Sequence, residues 1–482
     1  MGPRSSLRMF GLVLVGSSMI TVSAALGAQS APASQVPPAT PVLVSSGELR
    51  WPVLDELSLA DEQAIQAEIA CNQQLLHRQG RLAAPAVATI ALAWPLRPEP
   101  TYTGYGYHAV STFVDHDLNY PNQVRDYTNG RRTSDSNSGY NHSGPDYFLW
   151  PFGWRMMDAE VVAVVAAADG VIVGKSDGNP DRSCGASATG WNAVYVQHAD
   201  GRIAWYGHLK QNSLTSKGIG DAVVTGEYLG RVGSSGNSSG PHLHFELRSG
   251  SGAGSYVVDP YFGPGNNALP ASLWQQQPGY YDSAIVRLST GAGLPEFGVC
   301  PQPEEPNEQQ NFAPGSTVYL AAYYRDQLAG QVSHLRILQP DGVVYVTWNS
   351  ESATPHYAAS MWAWMVPIPA HGPAGAWRFE LTFEGKVYEQ IFYVGVQPPP
   401  TSTATAMATA TATAQTTPTA SATATGAATI PPTAVATPTG ATTYTPTPSP
   451  TRTPTPQPDG SSEPTPLAVN ERLFLPFVAI DN

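Results

Sequence analysis

The stretch Gly240-Pro241-His242-Leu243-His244-Phe245-Glu246-Leu247-Arg248 constrains the fold more than any other. Leu243 and Phe245 alternate with His242, His244 and Glu246, the pattern of a β-strand with one buried and one functional face. Both histidines therefore point the same way, roughly 6.5–7 Å apart along the strand at about 3.3 Å per residue. That spacing suits one metal ligand and one neighbour that works on whatever the ion holds. Taken alone, His-x-His also fits an exposed polar strand face, so the rest of the chain has to decide.

At 482 residues the chain is long enough for two or three folded units. Charged residues make up 13%, and Gly and Pro number 45 each, which favours β-rich and loop-rich structure over helical bundles. A net charge of −13 without a basic run leaves no electrostatic footprint for nucleic acid or an anionic membrane. Arg4 and Arg8 precede an apolar run ending near Ala28, the pattern of a secretory signal peptide over 1–28. The mature chain is then exported, secreted or associated with the cell surface or wall, with no membrane span. Cys71, Cys184 and Cys300 allow at most one intramolecular disulfide, whose pairing stays open, and they share no CxxC spacing that would mark a cysteine metal site.

Along the chain, 29–92 is expected to hold one helix over 57–80, with Ser58 as its cap and Gly80 as its stop. Residues 93–270 carry the densest strand signals, including a hairpin of 192–197 and 202–209 around His198-Ala199-Asp200-Gly201. After a linker over 271–310, six strand candidates within 311–396 predict an immunoglobulin-like β-sandwich, with Trp362, Trp364 and Trp377 in its core. Residues 397–466 are rich in Thr, Pro and Ala and too poor in apolar surface to fold, predicting a disordered stalk. Residues 467–482 form a short apolar tail.

Asn141-His142-Ser143-Gly144-Pro145-Asp146 supplies an imidazole and a carboxylate four positions apart. With His244 they make a three-ligand set that leaves a fourth tetrahedral position open, the hallmark of a catalytic zinc. His142, Asp146 and His244 are therefore the candidate ligands of one zinc ion. His242 and His208 are the candidate catalytic residues, needed to accept a proton and to stabilise an oxyanion. Asp115-His116-Asp117 reads as a polar loop rather than a second metal site. Gly236-Asn237-Ser238-Ser239-Gly240 matches a serine-hydrolase elbow in letters only, because it opens onto a strand instead of a helix.

His-x-Gly-x-Asp at 142–146, Tyr206-Gly207-His208-Leu209 and Gly240-Pro241-His242-Leu243-His244-Phe245-Glu246, in this order, resemble the lysostaphin-type zinc metalloendopeptidases, also called LytM-like peptidoglycan hydrolases. The resemblance covers roughly 94–262 and extends to Ala168-Asp169-Gly170-Val171 and Val258-Asp259-Pro260. It implies an antiparallel β-core with a long groove, within a mainly β chain. It also implies cleavage of peptide bonds in the stems or cross-bridges of bacterial cell wall, with the same five residues as ligands and catalytic histidines. The segments 147–158 and 177–191 are longer or more aromatic than a minimal core needs, which leaves substrate preference open. An alternative is a non-catalytic cell-surface binding protein, or an activator of other wall hydrolases. The oligomeric state is not readable.

Overall fold

The computed structural model describes residues 40–48, 57–86, 89–187, 189–252 and 254–397. The expected signal peptide, the stalk beyond 397 and the C-terminal tail lie outside them. The described residues are mainly β.

A seven-stranded sheet is the platform of the site. Its spatial order is β3 (His108–Val110), β4 (Asp146–Leu149), β11 (His242–Arg248), β8 (Ile203–Gly207), β7 (Ala193–His198), β6 (Gly170–Ser176) and β9 (Ala222–Val223). A three-stranded sheet of β10 (Tyr228–Arg231), β5 (Val162–Val165) and β2 (Leu96–Pro98) belongs to the same core. Period-two alternation sorts the two faces of the platform. Leu243, Phe245 and Leu247 join Val194, Val196, Ala204 and Tyr206 in a core shared with Leu96, Val162, Val164 and Leu229. His242, His244, Glu246 and Arg248 alternate with those leucine and phenylalanine side chains and take the opposite face.

Helix α1 (Leu59–Arg78) lies within the range expected from the sequence. Ser58 Oγ accepts from the Asp61 N–H, and Asp61 and Glu62 in the first turn with His77 and Arg78 in the last complement the helix dipole. Its Ile69 and Leu76 pack with Val173, Tyr195, Ile203 and Trp205. Trp205 stands opposite Glu246 in the β8–β11 register, so the helix covers part of the histidine face. The second helix, α2 (Gly153–Asp158), is a short turn after β4. No described helix is long and apolar enough to cross a membrane.

The C-terminal part forms two facing sheets. One runs β1 (Val42–Glu48), β17 (His356–Pro367), β14 (Thr317–Leu328) and β12 (Ala284–Gly291); the other runs β13 (Asn311–Phe312), β19 (Lys386–Val394), β18 (Gly375–Phe383), β15 (Val332–Leu338) and β16 (Val344–Glu351). Trp364 and Trp377 lie in the core between them, as read from the sequence, while Trp362 is partly buried and donates its indole N–H to Gln327. Along β14 the alternation serves two interfaces. Val318, Leu320, Ala322 and Tyr324 face the second sheet, whereas Ala321 and Tyr323 pack on Ala109, Phe148, Trp150 and Phe152 of the platform domain.

The expectation of a linker over 271–310 needs correction. Leu273 and Trp274 enter the platform core, and β12 pairs with β14 along its whole length. The physical reason is the apolar content of this stretch, in which Ile285, Val286 and Leu288 are all buried. The segment before α1 likewise contributes β1, paired antiparallel with β17.

Candidate active site

Strand register assembles the site. Asp146 of β4 stands directly opposite His244 of β11, and Gly207 of β8 stands opposite His244 on the other side. His142 reaches the same point from the loop before β4. Gly144 permits this approach, since a Cβ there would lie 2.4 Å from the Phe245 carbonyl oxygen. His208 follows Gly207 with φ at +58°, a left-handed conformation uncommon for a non-glycine residue and concentrated at functional sites. Gly207 is required as well, because a Cβ would lie 2.3 Å from Cζ3 of Trp191.

All five residues singled out in the sequence come together, and none is more than 8% exposed. His142 Nε2 lies 3.2 Å from Asp146 Oδ2, and His244 Nδ1 lies 3.0 Å from Asp146 Oδ1. One donor atom from each of the three falls within 4.8 Å of the others, a compact nitrogen, oxygen, nitrogen set. That chemistry fits zinc, which takes imidazole and carboxylate ligands. His244 turns its other ring nitrogen to Glu246 Oε2 at 3.3 Å, the carboxylate partner typical of a ligating histidine.

His208 and His242 sit beside this set with ring centroids 4.3 Å apart. His208 Nδ1 lies 2.7 Å from the Ser235 carbonyl, and His242 Nδ1 lies 2.8 Å from the Gly240 carbonyl. A carbonyl can only accept, so each Nδ1 carries the proton and each Nε2 is the atom left for proton exchange. His242 Nε2 is 3.8 Å from Asp146 Oδ1, which places it at the edge of the three-donor cluster.

Residues 153–260 match peptidase family M23. The chain is 44% identical over 107 residues to the DD-carboxypeptidase/endopeptidase Mpg of Neisseria meningitidis, an alignment covering 22% of this chain and 20% of that one. It is 31% identical over 124 residues to the glycyl-glycine endopeptidase of Staphylococcus capitis, covering 26% and 29% of the two chains. It is 33% identical over 106 residues to the peptidoglycan DD-endopeptidase ShyC of Vibrio cholerae, covering 22% and 20%. The chain carries a peptidase family M23 domain.

This bears out the resemblance read from the sequence. The chain spans less than a third of the length of each of these relatives. His208, His242 and His244 lie inside the matched span of the M23 domain, whereas His142 and Asp146 precede it. The bond from β4 to β11 is what joins the two groups.

Three further residues stand against the site without being among the candidate ligands or catalytic histidines, although Glu246 shares the histidine face of its strand and Trp191 ends the aromatic segment 177–191. The Thr112 hydroxyl donates to Asp146 Oδ2 at 2.8 Å and lies 3.1 Å from His142 Nε2, yet no motif surrounds it. Trp191 closes one wall, its ring 5.0 Å from His208 and 5.8 Å from His244. Glu246 accepts from Ser143 Oγ at 2.8 Å and pairs with Arg248. Burial pushes its carboxyl up, but Arg248 and His244 outweigh this and hold it down at about 2. Asp115-His116-Asp117 is a pinned polar loop: Asp115 accepts from the Asp117 and Arg125 N–H groups, and His116 Nε2 lies 2.8 Å from Asp259.

The segment 177–191 is fastened from outside the M23 domain. Cys184 and Cys300 form a disulfide, which resolves the pairing left open by the sequence and leaves Cys71 free and exposed. Glu304, close by in sequence, caps α2 by accepting from the Trp154 and Arg155 N–H groups.

Proposed function

We propose that the chain is a secreted zinc metalloendopeptidase that hydrolyses peptide bonds in the stems or cross-bridges of bacterial peptidoglycan. One zinc ion would be held by His142, Asp146 and His244. The observation that carries this reading is the buried cluster in which those three donors adjoin two further histidines of fixed tautomer. The relatives named as peptidoglycan DD-endopeptidase and glycyl-glycine endopeptidase support the substrate class. The signal-peptide pattern at the N-terminus supports export.

When bound, zinc supplies Lewis acidity, polarising a carbonyl and making water nucleophilic near neutral pH. The residues of this chain do the rest. With Nδ1–H committed to a backbone carbonyl, a neutral His208 or His242 can accept a proton at Nε2, and a protonated one can donate there to the developing oxyanion. Trp191 against His208 and His244 excludes water from that side and strengthens these charges. Asp146 would offset one of the ion's two positive charges.

The reading is tested by incubating the protein with purified bacterial peptidoglycan. Soluble fragments should appear, stop with a zinc chelator and return on adding zinc. A zinc-loaded protein that releases nothing from the wall of any species tried would overturn it.

A further inference from the structure

The histidine face of the M23 sheet carries a line of buried charges that leads from the ligand set to helix α1. Asp146 Oδ1 lies 3.0 Å from His244 Nδ1, and His244 Nε2 lies 3.3 Å from Glu246 Oε2. Glu246 Oε1 accepts from Arg248 Nε, and Arg248 Nη1 lies 2.6 Å from Glu62 Oε1 on α1. Glu246 and Arg248 are 1% and 5% exposed, and the guanidinium also stacks over Trp205 at 4.8 Å. Gln66 and Gln73 fasten the same helix to the loop after β11, through Gly252, Ser255 and Ser251.

We propose that Glu62, Arg248 and Glu246 are positioning residues that couple the docking of helix α1 to the strength of the metal site through His244. This rests on the metal reading given above. A buried carboxylate and guanidinium persist only while each is paired, because removal of one leaves the other uncompensated in a low dielectric. Arg248 divides its donors between Glu246 and Glu62, and this two-sided grip leaves Oε2 of Glu246 to accept from His244. Without Glu62, Arg248 loses its outer anchor and either turns wholly to Glu246 or moves out, and in both cases His244 loses its partner's orientation. Helix α1 thereby tunes a ligand that it never touches.

The test is zinc affinity by chelator competition, together with the visible spectrum of the cobalt-substituted protein. Glu246→Gln should weaken zinc binding by about 10- to 100-fold, the usual effect of an outer carboxylate on a ligating histidine. Glu62→Gln should weaken it by about threefold to tenfold, a share of that effect, and shift the cobalt bands. Glu68→Gln, which removes an exposed charge from the same helix, should change neither. Glu62 is only half-buried, so its variant decides the matter even if Glu246→Gln fails to fold. Zinc affinity and cobalt spectrum of Glu62→Gln identical to wild type would overturn the coupling. A wild-type protein that binds no zinc would instead overturn the metal reading beneath it.

Discussion

His208 and His242 lie side by side with ring centroids 4.3 Å apart and planes inclined by 38°, although one leaves β8 at positive φ and the other opens β11. Each ring is held by a different backbone carbonyl, so their two Nε2 atoms are set independently. Replacing either by alanine should lower turnover by about 10²- to 10⁴-fold, the range for a lost general acid or base. Zinc content should remain at one equivalent. Metal analysis showing that zinc is lost along with activity would reassign the residue as a ligand.

Gly144 lets the loop carrying His142 and Asp146 lie against β11, with only 2.4 Å between a hypothetical Cβ and the Phe245 carbonyl. The obstacle is strand backbone, which has little room to yield. Gly144→Ala should therefore cost about 1–3 kcal/mol of stability, as for other overpacked sites, and should weaken zinc binding as well. Calorimetry and zinc competition on the same variant check both effects.

The Cys184–Cys300 disulfide, with a sequence separation of 116, ties the segment beside Trp191 to the connection between β12 and β13 of the two-sheet part. Disulfides typically stabilise by about 2–4 kcal/mol, and restriction of the unfolded chain over a loop this long sets an upper value of about 5 kcal/mol. Cys184→Ser should lower the urea midpoint accordingly, and reductant should destabilise the wild type while leaving the variant unchanged.

His108 makes a contribution of definite sign to acid stability. Burial first, and then the Arg325 guanidinium, lower its pKa from an ordinary 6.5 to about 3. The unfolded chain thus gains a proton as pH falls through about 6.5, while the folded chain does not until about 3. Between those values falling pH favours unfolding, by up to about 1.4 kcal/mol per pH unit for this one group. Unfolding free energies measured from pH 6.5 down to pH 4 should fall less steeply in His108→Gln than in wild type.

What the sequence made legible was chemistry with a local signature. His142 and Asp146 share a glycine-bearing loop, His208 ends a hairpin, and His242 and His244 alternate on one strand, so each could be found from its neighbours. Thr112 has no such signature, since it meets Asp146 only because β3 pairs with β4. Glu246 stood in the motif, but its role depends on Arg248 and Ser143, which the fold brings to it. The strand Ala284–Gly291 resembles linker in the sequence because its partner β14 lies well downstream, and pairing between distant strands leaves little trace in either one alone.

The proposed activity is defined by the bond that is cut. Peptidoglycan digested by the purified protein, with and without a zinc chelator, should be analysed by mass spectrometry for new termini. New amino and carboxyl termini are expected within stem peptides or cross-bridges, absent with chelator and absent with the His242→Ala variant. Unchanged muropeptides from a protein holding one equivalent of zinc, or termini that persist in chelator, would contradict it.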